Sequence, residues 1–141
     1  MSKQVRQLEP KAVWNKFSDL NAVPRPSKKE ERVIAFMKGF GASLNLEVIE
    51  DSVGNVIIRK PATTGMEDRK PIVMQSHLDM VHQKNNDTNF DFLTQGIEMH
   101  VEGDWVKAKG TTLGADNGLG VATIMAVLES TDISHPAIEA L

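Results

Sequence analysis

Apolar residues recur at helical spacing at Val13, Trp14, Phe17 and Leu20, just after Pro10, which a first helical turn tolerates, so a short helix with one buried face is predicted there. Pro24 and Pro26 stop it. Ser27 followed by Glu30 reads as a capping box for a second helix, whose apolar stripe is Val33, Phe36, Met37, Phe40 and Leu44. From residue 46 the period shortens. Residues 46–50 and 56–59 flank Gly54 and Asn55 as a hairpin. The polar loop 61–70 then leads into Ile72-Val73-Met74, a short continuous apolar run that predicts a central strand covered on both faces. Residues 85–95 carry neither period and read as a surface loop. Ile97, Met99 and Val101 alternate with Glu98, His100 and Glu102 before Gly103-Asp104 turns the chain into 105–108, a second hairpin. Beyond the Gly-bearing loop 110–114, residues 119–128 are apolar nearly all round, as expected of a helix buried against a sheet. His135-Pro136 then breaks the chain, and residues 137–141 begin what reads as another strand, at which the sequence stops. The elements describe an α/β fold, a mixed sheet flanked by helices.

Composition narrows the function classes. At 141 residues the chain is the size of one domain, and 40% hydrophobic with 25% charged residues is an ordinary globular balance, unlike a disordered, fibrous or membrane protein. A net charge of -3, with Lys and Arg scattered among acids, offers no footprint for a phosphate backbone, so neither nucleic acid nor membrane is an expected partner. The absence of cysteine excludes disulfides, thiolate metal sites and a cysteine nucleophile; any metal must use His and carboxylates. Residues 1–10 hold no apolar run before a small-residue cleavage site, which makes a cytoplasmic location the default expectation.

His77 and Asp79 lie two apart just after the apolar run at 72–74, so an extended backbone puts both side chains on one side, at the strand end where α/β sheets bind ligands. An imidazole there can bind a divalent metal while the carboxylate accepts its other ring N–H. The same spacing also fits a turn or a surface hydrogen bond. Asp116 closes the loop Gly110-Thr111-Thr112-Leu113-Gly114-Ala115 and precedes Asn117-Gly118 and the buried helix. It reads either as a helix N-cap or as a carboxylate bridging two metal ions, with the neighbouring glycines allowing backbone close to the ions.

Together, Ser76-His77-Leu78-Asp79-Met80-Val81 and Gly114-Ala115-Asp116-Asn117-Gly118 resemble the dinuclear metallopeptidases that include carboxypeptidases, deacylases and aminoacyl-histidine dipeptidase, and are closest to the last. Val23-Pro24-Arg25-Pro26-Ser27, Asp51-Ser52-Val53-Gly54-Asn55 and Gly110-Thr111-Thr112-Leu113-Gly114 are similar to it as well, so the resemblance covers almost the whole chain. It implies that His77 is a ligand of one metal, that Asp79 orients its imidazole, and that Asp116 bridges two divalent ions, Zn or else Co or Mn. It also implies a cis bond between Asp116 and Asn117, a short peptide substrate with a free amino end, and a homodimeric parent enzyme.

The family's adjacent Glu pair, its later carboxylate and His ligands and its inserted dimerisation domain have no counterpart here. Residues 1–141 are therefore expected to be the N-terminal portion of a catalytic domain, inactive alone and open to self-association. Two other readings compete with it. One is a phosphate or nucleotide module built on 110–120 and the helix start, although that loop lacks a P-loop ending; the other is a non-catalytic association fragment. His82 is expected in solvent, His135 in a turn, the 98/100/102 stripe on a solvent face, and the Met and Trp residues in the core.

Overall fold

The computed structural model describes residues 3–141, so the part of the N-terminal reading that falls on Met1 and Ser2 lies outside the described residues. A 3-10 turn at Val5–Gln7 precedes α1 (Lys11–Asn21) and α2 (Glu31–Ser43). The hairpin β1 (Glu47–Glu50) and β2 (Val56–Lys60) follows, then β3 (Ile72–Met74), a second hairpin β4 (Met99–Glu102) and β5 (Trp105–Ala108), α3 (Ala115–Glu129) and β6 (Ile138–Ala140). The fold is α/β with a mixed four-stranded sheet in the order β1-β2-β6-β3 and a separate two-stranded β4-β5 ribbon.

Strand position differs from the sequence expectation. β6 holds the interior, antiparallel to β2 through Ile58↔Ala140 and parallel to β3 through Met74↔Ala140, and β3 is an edge strand. Its Ile72 and Val73 are 47% and 64% exposed rather than covered. Side chains alternate across a strand, so Val56, Ile58, Ile138 and Ala140 share one face, where they pack with Val33 and Met37 of α2 and Val121, Met125 and Leu128 of α3. The opposite face carries Glu47, Arg59 and Glu139, ion-paired at 3.5 and 3.1 Å, with Val73 beside Glu139. Helices therefore cover one face of the sheet.

A second cluster, Val5, Phe17, Met80, Ile97, Met99 and Ala122, ties the ribbon to α1 and α3. α1 sends Leu20 into the first cluster and Phe17 into the second, and α3 sends Met125 and Ala122 the same two ways. That double burial explains why α3 is apolar all round. The expectation of two core tryptophans fails at Trp105, which is 69% exposed on the ribbon.

Ile58 is 1% exposed between both helices, so Ile58→Ala is expected to cost about 2 to 5 kcal/mol in denaturant unfolding. Val73→Ala on the open face is expected to stay within roughly 0.5 kcal/mol. Equal losses at both positions would contradict the one-sided sheet.

Candidate metal site

Parallel pairing carries past β3: Leu141 N–H donates to Met74 O at 2.8 Å and Ser76 N–H to Leu141 O at 2.9 Å, which fixes the chain just before His77. His77 Nδ1 then lies 3.1 Å from both the carbonyl and the Oδ1 of Asp79, and Nε2 lies 3.0 Å from Asp116 Oδ1. The three candidate residues converge beyond the carboxyl end of β3. Two acceptors facing Nδ1 require a proton on that nitrogen, so Nε2 can meet Asp116 only through a cation, either a second proton or a metal. Burial opposes charging of His77, but the hydrogen bond to Asp116, the Asp79 carbonyl and the Asp79 charge outweigh it and raise the pKa above 6.5.

Asp79 is held from behind. Ser27 Oγ–H donates to Asp79 Oδ2, and Ser27 N–H donates to Met80 O at 3.1 Å while Met80 N–H donates to Arg25 O at 3.0 Å. The Ser27 hydrogen bond is the largest influence keeping the Asp79 carboxyl below its usual value of 3.8; burial opposes it, and His77 assists. The capping-box expectation is thereby corrected. The residue flanking α2 is Glu30, with no side-chain cap, and the Ser27 hydroxyl is turned toward the site instead.

Asp116 is not a cap either. Gly114, in the left-handed region at φ 73°, occupies the cap position, and Asp116 (φ -96°, ψ 106°) and Asn117 (φ -110°, ψ 34°) are not helical; the bond between them is cis. The Asp116 side chain is 95% exposed, leaving its second oxygen open. The anion-binding alternative finds no support here, because the first turn of α3 presents an acid on irregular backbone.

Sequence reasoning gave no role to Arg25 or Asn21. Arg25 is 1% exposed, and its Nη1 donates to Leu78 O at 3.0 Å and Asp79 O at 3.4 Å. Its Nη2 donates to Asn21 Oδ1 at 2.7 Å and Gly114 O at 2.8 Å, and Asn21 Nδ2 donates to Leu113 O at 3.0 Å. Burial pulls the guanidinium pKa down to about 10, against the pull of Asp79, so it stays charged at neutral pH. The glycines flanking Asp116 serve this group: a Cβ on Gly114 or on Gly118 would lie 2.6 Å from Arg25 Nη2.

His82 stands apart from the site, edge-on to Phe92 with centroids 5.7 Å apart. In the β4 stripe, Glu98 pairs with Lys109 at 3.7 Å and Glu102 pairs with Lys107, the ordinary chemistry of a solvent face. His135, expected in a turn, lies on extended chain instead and is buried at 5% exposure, with Nδ1 2.7 Å from Pro136 O. A cavity of about 420 Å³ opens beside His77 and Asp79, lined by apolar groups including Ile34, Met37, Val53 and Ile124.

An imidazole nitrogen and a carboxylate oxygen 3.0 Å apart form a donor pair of the right chemistry for a divalent ion. Two ligands about 2.0 Å from one tetrahedral ion span roughly 3.3 Å, close to that separation. Among the described residues no group of three or more His, Cys, Asp or Glu side chains gathers to hold a metal, so this pair is a partial set.

The architecture is one found in peptidases, and the chain matches a segment of a larger enzyme of that class. It is similar to the cytosol non-specific dipeptidase of Escherichia coli strain K12, at 48% identity over 138 residues that make up 98% of this chain and 28% of that protein. The aminoacylhistidine dipeptidase of Vibrio alginolyticus superposes with a TM-score of 0.94 at 46% identity, over 96% of this chain and 28% of the other. A Staphylococcus aureus tripeptidase, at 22% identity and TM-score 0.72 over 92% of this chain and 35% of its own, shares the fold alone. The chain thus spans about 28% of the length of the two dipeptidases. No family model matches it.

Ser27→Ala is expected to move the Asp79 pKa up toward 3.8 in a carboxyl-carbon NMR titration. The depressed value contributes stability that is present above pH 3.8 and lost as pH falls through the folded pKa, so the variant should show a shallower acid loss. An unmoved Asp79 titration would contradict the assigned cause.

Proposed function

We propose that the chain is the N-terminal portion of the catalytic domain of a cytoplasmic, metal-dependent dipeptidase acting on aminoacyl-histidine-type peptides, with His77 and Asp116 as metal ligands. The observation that carries this is the approach of His77 Nε2 to Asp116 Oδ1, 3.0 Å apart, in a segment matching dipeptidases. Asp79 is assigned as the orienting carboxylate: accepting from Nδ1–H, it leaves Nε2 free to face the position that a divalent ion would share with Asp116, and raises the basicity of the ring. Asp116 keeps one oxygen free, which suits the role the resemblance implies for it: it would hold a second divalent ion as well as the first, with Zn the leading candidate and Co or Mn the others. The chemistry supplied by the bound ions is polarisation of the scissile carbonyl and activation of a water.

None of the three side chains is left over to move a proton. Both ring nitrogens of His77 and both oxygens of Asp79 are engaged, and Asp116 is committed as a ligand. The resemblance assigns the general base to a Glu outside these residues, in a longer, dimeric protein, and the isolated chain is expected to be inactive.

Binding of Zn or Co to the isolated chain tests the ligand assignment by competition with a chromophoric chelator. His77→Ala and Asp116→Ala are expected to abolish it, and Asp79→Asn to weaken it about 10- to 100-fold. Unchanged affinity in His77→Ala would overturn the assignment. With a His-ending dipeptide the isolated chain is expected to show no turnover, since losing a general base alone costs roughly 10²- to 10⁴-fold; robust turnover abolished by His77→Ala would contradict its assigned incompleteness.

A further inference from the structure

Resting on the reading of His77 and Asp116 as ligands, we infer that Arg25 is the positioning residue of this site, a buried fork that sets the spacing between the two loops carrying them. His77 and Asp116 are 39 residues apart in sequence and sit on separate irregular segments, so neither helix nor sheet pairing fixes their distance. Thr112 links the same loops to Val81 and Gln83, but only beyond the ligands. Beside the ligands Ser76 Oγ–H reaches Asn117 O only at 3.5 Å, and the short bonds across the loops are those of Arg25, whose two terminal nitrogens reach Leu78 O at 3.0 Å and Asp79 O at 3.4 Å on one loop and Gly114 O at 2.8 Å on the other.

Geometry makes this a task for arginine. The guanidinium is flat and rigid, with donors diverging at fixed angles, so the three carbonyls are held at one mutual spacing; an ammonium on a flexible stem imposes none. Its orientation is set independently, because Asn21 Oδ1 takes one Nη2 hydrogen and the Asn21 amide is itself pinned to Leu113 O. Room is reserved as well, since a side chain at Gly114 or Gly118 would collide with Nη2. Pro24 and Pro26 on either side keep the segment out of a helix, and the bridge between Pro26 and Met80 lays it along the back of the His77 loop. Arg25 touches neither ring nor carboxylate of the ligand pair in this arrangement. It acts through backbone, and a shift of about 1 Å in such supports costs an active site on the order of 100-fold.

The test uses the 141-residue chain with two readouts: Zn affinity, and the ring-nitrogen NMR signals of His77 in the metal-free chain at one fixed pH, which report the hydrogen bond from Nδ1–H to Asp79. Arg25→Lys keeps the charge and removes the fork. Gly118→Ala keeps the guanidinium and brings a methyl within 2.6 Å of Nη2 and 2.9 Å of Phe17 Cε2, and Leu20→Ala and Phe17→Leu supply core changes that leave the clamp's own groups intact. Arg25→Lys and Gly118→Ala are expected to lower Zn affinity about 10- to 100-fold and to shift or broaden the His77 signals, whereas Leu20→Ala and Phe17→Leu change neither. Should Arg25→Lys fail to fold, Gly118→Ala decides by the same readouts. Affinity within twofold of wild type and unmoved His77 signals in the folded variant would overturn the inference. Should the wild-type chain bind no Zn, the ligand reading falls, while the metal-free signals still decide whether Arg25 positions His77.

Discussion

A buried positive charge has to be met with acceptors, and around Arg25 the chain supplies them from three places that are far apart in sequence. An unpaired charge in the interior costs several kcal/mol, so a fold that buries this guanidinium is bound to bring the carbonyls of Leu78, Asp79 and Gly114 and the amide of Asn21 to it at once. That requirement joins the end of α1, the loop after β3 and the loop before α3. Those last two loops carry His77, Asp79 and Asp116. The local chemistry of the site therefore follows from satisfying one cation behind it, and the acids in front are placed by backbone that is already spoken for.

Around that clamp the two hydrophobic clusters provide the rigid frame. α1 and α3 each contribute to both, so the segment from Asn21 to Arg25 leaves α1, and the segment at Gly114 enters α3, from helices already fixed against each other. β6 holds β3 in parallel register, and their pairing runs on to Ser76. The strand thus holds the chain up to Ser76 and the helix holds it from Gly118 on, while the spacing of the two loops between is left to contacts across them. Arg25 spans the remaining gap.

Much of this was legible in the sequence where a period extends over several turns or pairs. α1, α2, both hairpins and α3 follow from spacing, because burial of one face imposes 3.6 or 2. β3 is legible as a strand but not in its place: three apolar residues mark a strand without naming its neighbours, and the interior position belongs to β6, whose Ile138 and Ala140 alternate around Glu139. The meeting of His77, Asp79 and Asp116 is legible because the motifs that carry the resemblance are short and ordered. Ser27 reads as a helix cap because a Ser-x-x-Glu pattern near a helix start satisfies local rules, while its actual acceptor, Asp79, lies 52 residues away. Arg25 was invisible for the same reason: its meaning lies entirely in long-range acceptors, and nothing within its Pro-flanked pentapeptide announces burial.

Whether the clamp presents His77 and Asp116 to one divalent ion can be seen by anomalous diffraction from crystals of this chain grown with Zn. A peak is expected between His77 Nε2 and the Asp116 carboxylate, with Asp79 behind the imidazole and Arg25 still bonded to Leu78 and Gly114. A peak elsewhere, on His100 and Glu102 of the ribbon or on His82, with the His77 to Asp116 contact intact and metal-free, would contradict it.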